Sequence, residues 1–101
     1  MRRIVLLCSA GVSTSMLVRR LEAEAARLGY ECSISFFPIS EANEAAGFAD
    51  ALLLAPQAAH MLAELRVKCP NVPIAAIPQE MYGSADAEKI LDLAQKTAGD
   101  Y

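Results

Sequence analysis

A chain of 101 residues with 54% hydrophobic and 21% charged side chains suits one folded domain and is too apolar to be disordered. The net charge is −3, and the only adjacent basic pairs are Arg2-Arg3 and Arg19-Arg20, which argues against broad nucleic-acid binding. The longest aliphatic runs, 4–8 and 51–56, fall far short of the ~20 residues that a membrane-spanning helix needs.

Met-Arg-Arg at the start is followed by too few apolar residues for a secretory leader, so the expected compartment is the cytosol. The three cysteines, Cys8, Cys32 and Cys69, have no Cys-x-x-Cys spacing and read as reduced thiols. His60 is the single histidine, which leaves too few ligands for a metal site, and no cofactor signature is present.

Residues 3–7 are wholly apolar after Arg3 and predict a strand buried on both sides. The run Cys8-Ser9-Ala10-Gly11-Val12-Ser13-Thr14-Ser15 follows, composed of small residues. A helix to about Leu28 comes next, with Leu17, Leu21, Ala25 and Leu28 on one face and Gly29 as its stop. In residues 31–37 Cys32, Ile34 and Phe36 alternate with more polar positions, the pattern of a half-exposed edge strand. Pro38 ends it, and Ser40 is placed to cap a short helix reaching Ala46 before Gly47.

Residues 50–54 predict a second buried strand, and Pro56 opens a helix to about Lys68. Residues 72–77 form the last strand, closed by Pro78. A final helix over 85–98 buries Ala87, Ile90, Leu91, Ala94 and Ala98. This strand–helix alternation predicts a single α/β domain over 1–101: an open four-stranded parallel sheet with helices on both faces. In such a sheet every strand ends at one edge, so the segments starting at Cys8, Pro38, Ala55 and Pro78 share that edge.

Cys8 therefore stands where a central strand stops, at the mouth of a loop leading into a helix. Small residues let backbone N–H groups converge, and Gly11 permits a positive φ. The helix N-terminus adds a positive field, so the loop is an anion cradle that favours thiolate over thiol. A thiolate in a phosphate cradle is a nucleophile for phosphorus. Hydroxyl residues here could serve only as caps, but Ser9, Ser13, Thr14 and Ser15 exceed what capping requires.

Cys-Ser-Ala-Gly-Val-Ser-Thr-Ser resembles the phosphorylation loop of the enzyme IIB components of the bacterial sugar phosphotransferase system, in the lactose/cellobiose/chitobiose branch. Length, element order, Ala55-Pro56-Gln57 and Tyr82-Gly83 extend the resemblance over the whole chain. It implies a flavodoxin-like fold related to the low-molecular-weight tyrosine phosphatases. It also implies that Cys8 accepts a phosphoryl group from a phosphohistidine of a IIA component, within a cradle formed by Ser9, Ala10, Gly11, Val12, Ser13, Thr14 and Ser15. The group then passes to a sugar, such as a β-linked disaccharide, held by the membrane-embedded IIC component. The chain itself is then not membrane-inserted, and a monomer is expected when it is free.

Two other readings stand beside this one. A phosphatase or arsenate reductase of the related fold carries arginine six positions after the cysteine, and this chain has Thr14 there. It also needs an assigned aspartic acid as general acid, and neither Asp50 nor Asp86 follows such a signature. A non-catalytic anion-binding regulatory module is the third reading. Around the edge, Gln57, Tyr82 and Gly83 are candidates to contact the crevice or a partner, with 78–83 read as a loop. His60 is a candidate base for Cys8 and also reads as an ordinary helix-surface histidine.

Overall fold

The computed structural model describes residues 1–8 and 15–100, with Ser15 described in its backbone only. Four strands, β1 (Arg2–Cys8), β2 (Cys32–Pro38), β3 (Ala51–Leu54) and β4 (Ile74–Ala76), make one sheet in the order β2-β1-β3-β4. All neighbouring pairs are parallel, as the alternation of strand and helix requires. β1 is the backbone of the sheet. It pairs along its full length with β2, from Arg2↔Cys32 to Cys8↔Pro38, and with β3 from Ile4↔Ala51 to Leu7↔Leu54.

Strand alternation divides the core into two layers. Ile4 and Leu6 face α1 (Ser15–Leu28) and α5 (Ala87–Ala98), joined there by Leu17, Leu21, Leu53, Ile90 and Leu91. Val5 and Leu7 face the other way, toward α2 (Ala42–Ala46) and α3 (Leu62–Lys68), with Leu52, Leu54 and Leu65. Both faces of the sheet are thus covered, which explains the unbroken apolar runs of β1 and β3.

Several expectations need correction. Leu28 is 48% exposed. It sits in the last turn of α1 beside a cleft with Glu88, Lys89 and Asp92, the polar side of α5, so no apolar cover reaches it. Phe36, at 43% exposed, instead agrees with the half-exposed edge strand expected over 31–37, since β2 is the outer strand. Phe37, pointing to the opposite face, instead packs edge-on against Phe48 with ring centroids 5.8 Å apart.

Ser40 is no cap. It lies inside a 3-10 turn over Ile39–Glu41 that Pro38 begins with φ −66°, and α2 starts beyond it without a side-chain cap. The helix expected from Pro56 is wound as 3-10 through Pro56–Met61 and becomes α-helical only at Leu62. Segment 78–83 is a short helix, α4 (Gln79–Gly83), not a loop. α5 begins at Ala87 because the Asp86 carboxylate caps it, accepting from the Lys89 N–H at 3.1 Å. The stop at Gly29 holds: its φ is +72°, and Tyr30 N–H returns to the Ala25 carbonyl.

At the edge of the sheet where the strands begin, one cluster fastens the two extremities of the fold. Arg2 donates to both oxygens of Asp100, and the Tyr30 hydroxyl donates to Asp100 Oδ2 at 2.5 Å. The Arg3 N–H donates to Asp50 Oδ2 at 2.7 Å beside it. The Arg2 and Tyr30 hydrogen bonds hold the Asp100 carboxyl below the usual carboxylate range. A depressed folded pKa means that its contribution is present above the unfolded value of about 3.9 and is lost as pH falls through the folded one. Asp100→Asn should therefore lower the thermal midpoint at neutral pH, with the gap to wild type closing in acid. Melting curves from pH 7 down to pH 2.5 check this, and a gap independent of pH would contradict it.

Candidate functional site

The order β2-β1-β3-β4 reverses direction between β1 and β3. From β1 the chain proceeds to α1 on one face, and from β3 it proceeds to α3 on the other. The two connections diverge and leave a crevice beyond the strand C-termini, the place where open α/β sheets bind ligands. Cys8 is the last residue of β1 and stands at that point. It is buried at 4% exposure, next to Pro38 of β2. The Ala55 N–H donates to the Leu7 carbonyl at 2.8 Å, tying the start of the β3 connection to the end of β1.

Ser9, Ala10, Gly11, Val12, Ser13 and Thr14 lie outside the described residues, as does the side chain of Ser15. α1 starts at Ser15, so the chain leaving Cys8 does lead into a helix of 14 residues on the Ile4–Leu6 face. Gln57 is exposed in the 3-10 turn, two residues beyond Ala55 and hence beside the crevice. His60 is exposed one turn further on, in the segment leading to the opposite face.

Tyr82 comes from α4, directly after β4, and is half-buried against the α1–α5 layer. Burial pushes its phenol pKa up, and the negative charge available to Cys8 pushes it further in the same direction. Tyr82 thus lies within the field of Cys8. Gly83 is exposed and ends α4 in ordinary helical geometry. The left-handed residue in that connection is Ala85, with φ +50°.

The other thiols are placed differently. Cys69 is buried, and its S–H points to Asn43 Oδ1 at 3.6 Å. Cys32 is half-buried at the start of β2, with its pKa raised by burial and then by Glu22. Neither is at the crevice edge: Cys32 pairs with Arg2 at the far end of β1, and Cys69 lies between α3 and the start of β4. Among the described residues no group of His, Cys, Asp and Glu could hold a metal ion, and no helix is long and apolar enough to cross a membrane.

Comparison with known proteins decides the family. Residues 3–93 match the family described as "PTS system, Lactose/Cellobiose specific IIB subunit". The chain belongs to the lactose/cellobiose-specific IIB family.

The oligo-beta-mannoside-specific EIIB component of Bacillus subtilis is 34% identical over 96 residues, covering 93% of both chains. The cellobiose-specific EIIB component of Lactococcus lactis subsp. lactis is 38% identical over 101 residues, covering 91% of this chain and 92% of the relative. Of solved structures, the cellobiose-specific IIB component of Borrelia burgdorferi superposes with a TM-score of 0.80 at 34% identity, over 98% of this chain and 93% of that one. The lactose-specific IIB domain of Streptococcus pneumoniae gives 0.77 at 15% identity, over 92% of this chain and 96% of that one, a likeness of fold. The IIB chain is therefore a component of a sugar phosphotransferase system.

Cys8 and Cys32 should separate by titration. Alkylation rate against pH should give Cys8 an apparent pKa below the free-thiol value of about 8.5, with Cys32 above it. Mass mapping of the alkylated sites checks the order. A Cys8 value at or above 8.5 would remove the anion-cradle argument.

Proposed function

We propose that this IIB chain is a phosphocarrier that takes a phosphoryl group onto Cys8 from a phosphohistidine of a IIA component and passes it to a sugar held by a IIC transporter. The observation that carries this reading is the position of Cys8, a cysteine ending the central strand where the strand order reverses. The small-residue run 9–15 supports it as the phosphate cradle, formed by backbone N–H groups.

Each half of the transfer is a displacement at phosphorus. The Cys8 thiolate attacks the phosphorus of the donor; the P–N bond breaks as the P–S bond forms, and the imidazole leaves with the electron pair. In the second half a sugar hydroxyl oxygen attacks, the P–S bond breaks, and Cys8 leaves as thiolate while the hydroxyl proton passes to a base on the acceptor side. A thiolate stabilised by the cradle is a good leaving group as well as a nucleophile, which suits a reversible carrier.

Thr14 in place of the phosphatase arginine favours the carrier over hydrolysis, since water would attack without the bidentate clamp on the transition state. The substrate class follows relatives named for cellobiose and for oligo-beta-mannosides, so a β-linked disaccharide is the proposed sugar. Work in the cytoplasm beside the membrane partner fits this role.

Incubation with phosphoenolpyruvate, the general phosphotransferase proteins and a IIA component should add one phosphate, labile to acid and to iodine. Cys8→Ser should abolish the incorporation, and Cys32→Ser and Cys69→Ser should keep it. Full labelling of the Cys8 variant would end the proposal.

A further inference from the structure

The geometry points to a second group at the crevice: the Tyr82 hydroxyl binds the phosphoryl group carried by Cys8, donating a hydrogen bond to one of its oxygens. The inference rests on the carrier reading and deepens it by naming a side chain that holds the cargo.

Three observations converge. Side chains alternate along β1, so Cys8 belongs to the same face as Ile4 and Leu6, the face covered by α1 and α5. Tyr82 packs against that same layer, from a helix entered directly off the C-terminal end of β4. Ring and thiol therefore share one face at one edge of the sheet.

The second observation is the state of the hydroxyl. The core holds the aromatic ring, yet among the described residues the phenol O–H has no hydrogen-bond partner. A fully buried tyrosine hydroxyl ordinarily finds one; at half-buried Tyr82 the hydroxyl is left to bond water or a ligand. The third is electrostatic. Burial and the charge at Cys8 both keep the phenol protonated, so it remains a donor across the physiological range. A phosphoryl group brings about 1.5 to 2 negative charges to the same place, and the preference for the protonated donor grows.

A neutral donor suits a carrier. It orients the group and favours its dianion without the strong bidentate hold of an arginine, so the group remains transferable. Packing alone would require only the ring, and phenylalanine would serve as well. Tyr82→Phe therefore isolates the hydroxyl.

The test is a 31P NMR titration of wild type and Tyr82→Phe, both phosphorylated with phosphoenolpyruvate, the general phosphotransferase proteins and a IIA component. Losing a donor to the dianion should raise the pKa of the S-phosphoryl group by about half a unit to one unit, roughly a three- to tenfold change in proton affinity. If wild type is labelled on Cys8 and the variant titrates identically, the hydroxyl has no such role and the carrier reading stands. If wild type takes no phosphate on Cys8, both fall together. A second measurement needs no variant: in wild type with 13C-labelled tyrosine, the Tyr82 Cζ resonance should move on phosphorylation. An unmoved resonance would overturn the inference.

Discussion

β1 is hydrogen-bonded to a strand on each side, and the placement of Cys8 follows from that pairing. Its register with β2 runs from Arg2↔Cys32 to Cys8↔Pro38, and with β3 from Ile4↔Ala51 to Leu7↔Leu54. A slip of one residue would turn Cys8 from the α1–α5 face to the α2–α3 face and shift it along the edge. The sheet order also reverses beside β1, so the residue ending this strand opens onto the crevice. Register and strand order together position Cys8.

The register is held by the core. Ile4, Val5, Leu6 and Leu7 in β1 and Leu52, Leu53 and Leu54 in β3 are all at most 2% exposed. Truncating one such leucine to alanine costs about 2–5 kcal/mol, against a total stability of about 5–15 kcal/mol for a domain. A strand so anchored offers a rigid platform for a nucleophile whose reactivity depends on what surrounds it. The fastening of Arg2, Tyr30 and Asp100 lies at the opposite end of β1 from Cys8.

Much of this was legible in the sequence because the central strands are buried on both faces and their apolar runs have few other readings. The end of α1 was legible because Gly29 occupies a left-handed position that other residues resist. The helix α4 was hidden: five residues between Pro78 and Ser84 are too few to show a 3.6-residue period, and Pro with Gly suggested a loop. Leu28 misled because periodicity states which face a side chain takes and not whether that face is covered at a helix end. Cys8 stood out in the sequence by its context of small residues, whereas the place of Tyr82 on the α1–α5 layer depends on packing between β4, α4 and that layer, which no local pattern encodes.

The central claim is that Cys8 carries a phosphoryl group that persists until a sugar accepts it. The direct measurement isolates the phosphorylated protein and follows its intact mass and its released products in two conditions: buffer alone, and membranes bearing the IIC transporter with a β-linked disaccharide. The account predicts that the phosphate persists in buffer and leaves as sugar phosphate when membranes and sugar are supplied. Release as inorganic phosphate at equal rates in both conditions would contradict it.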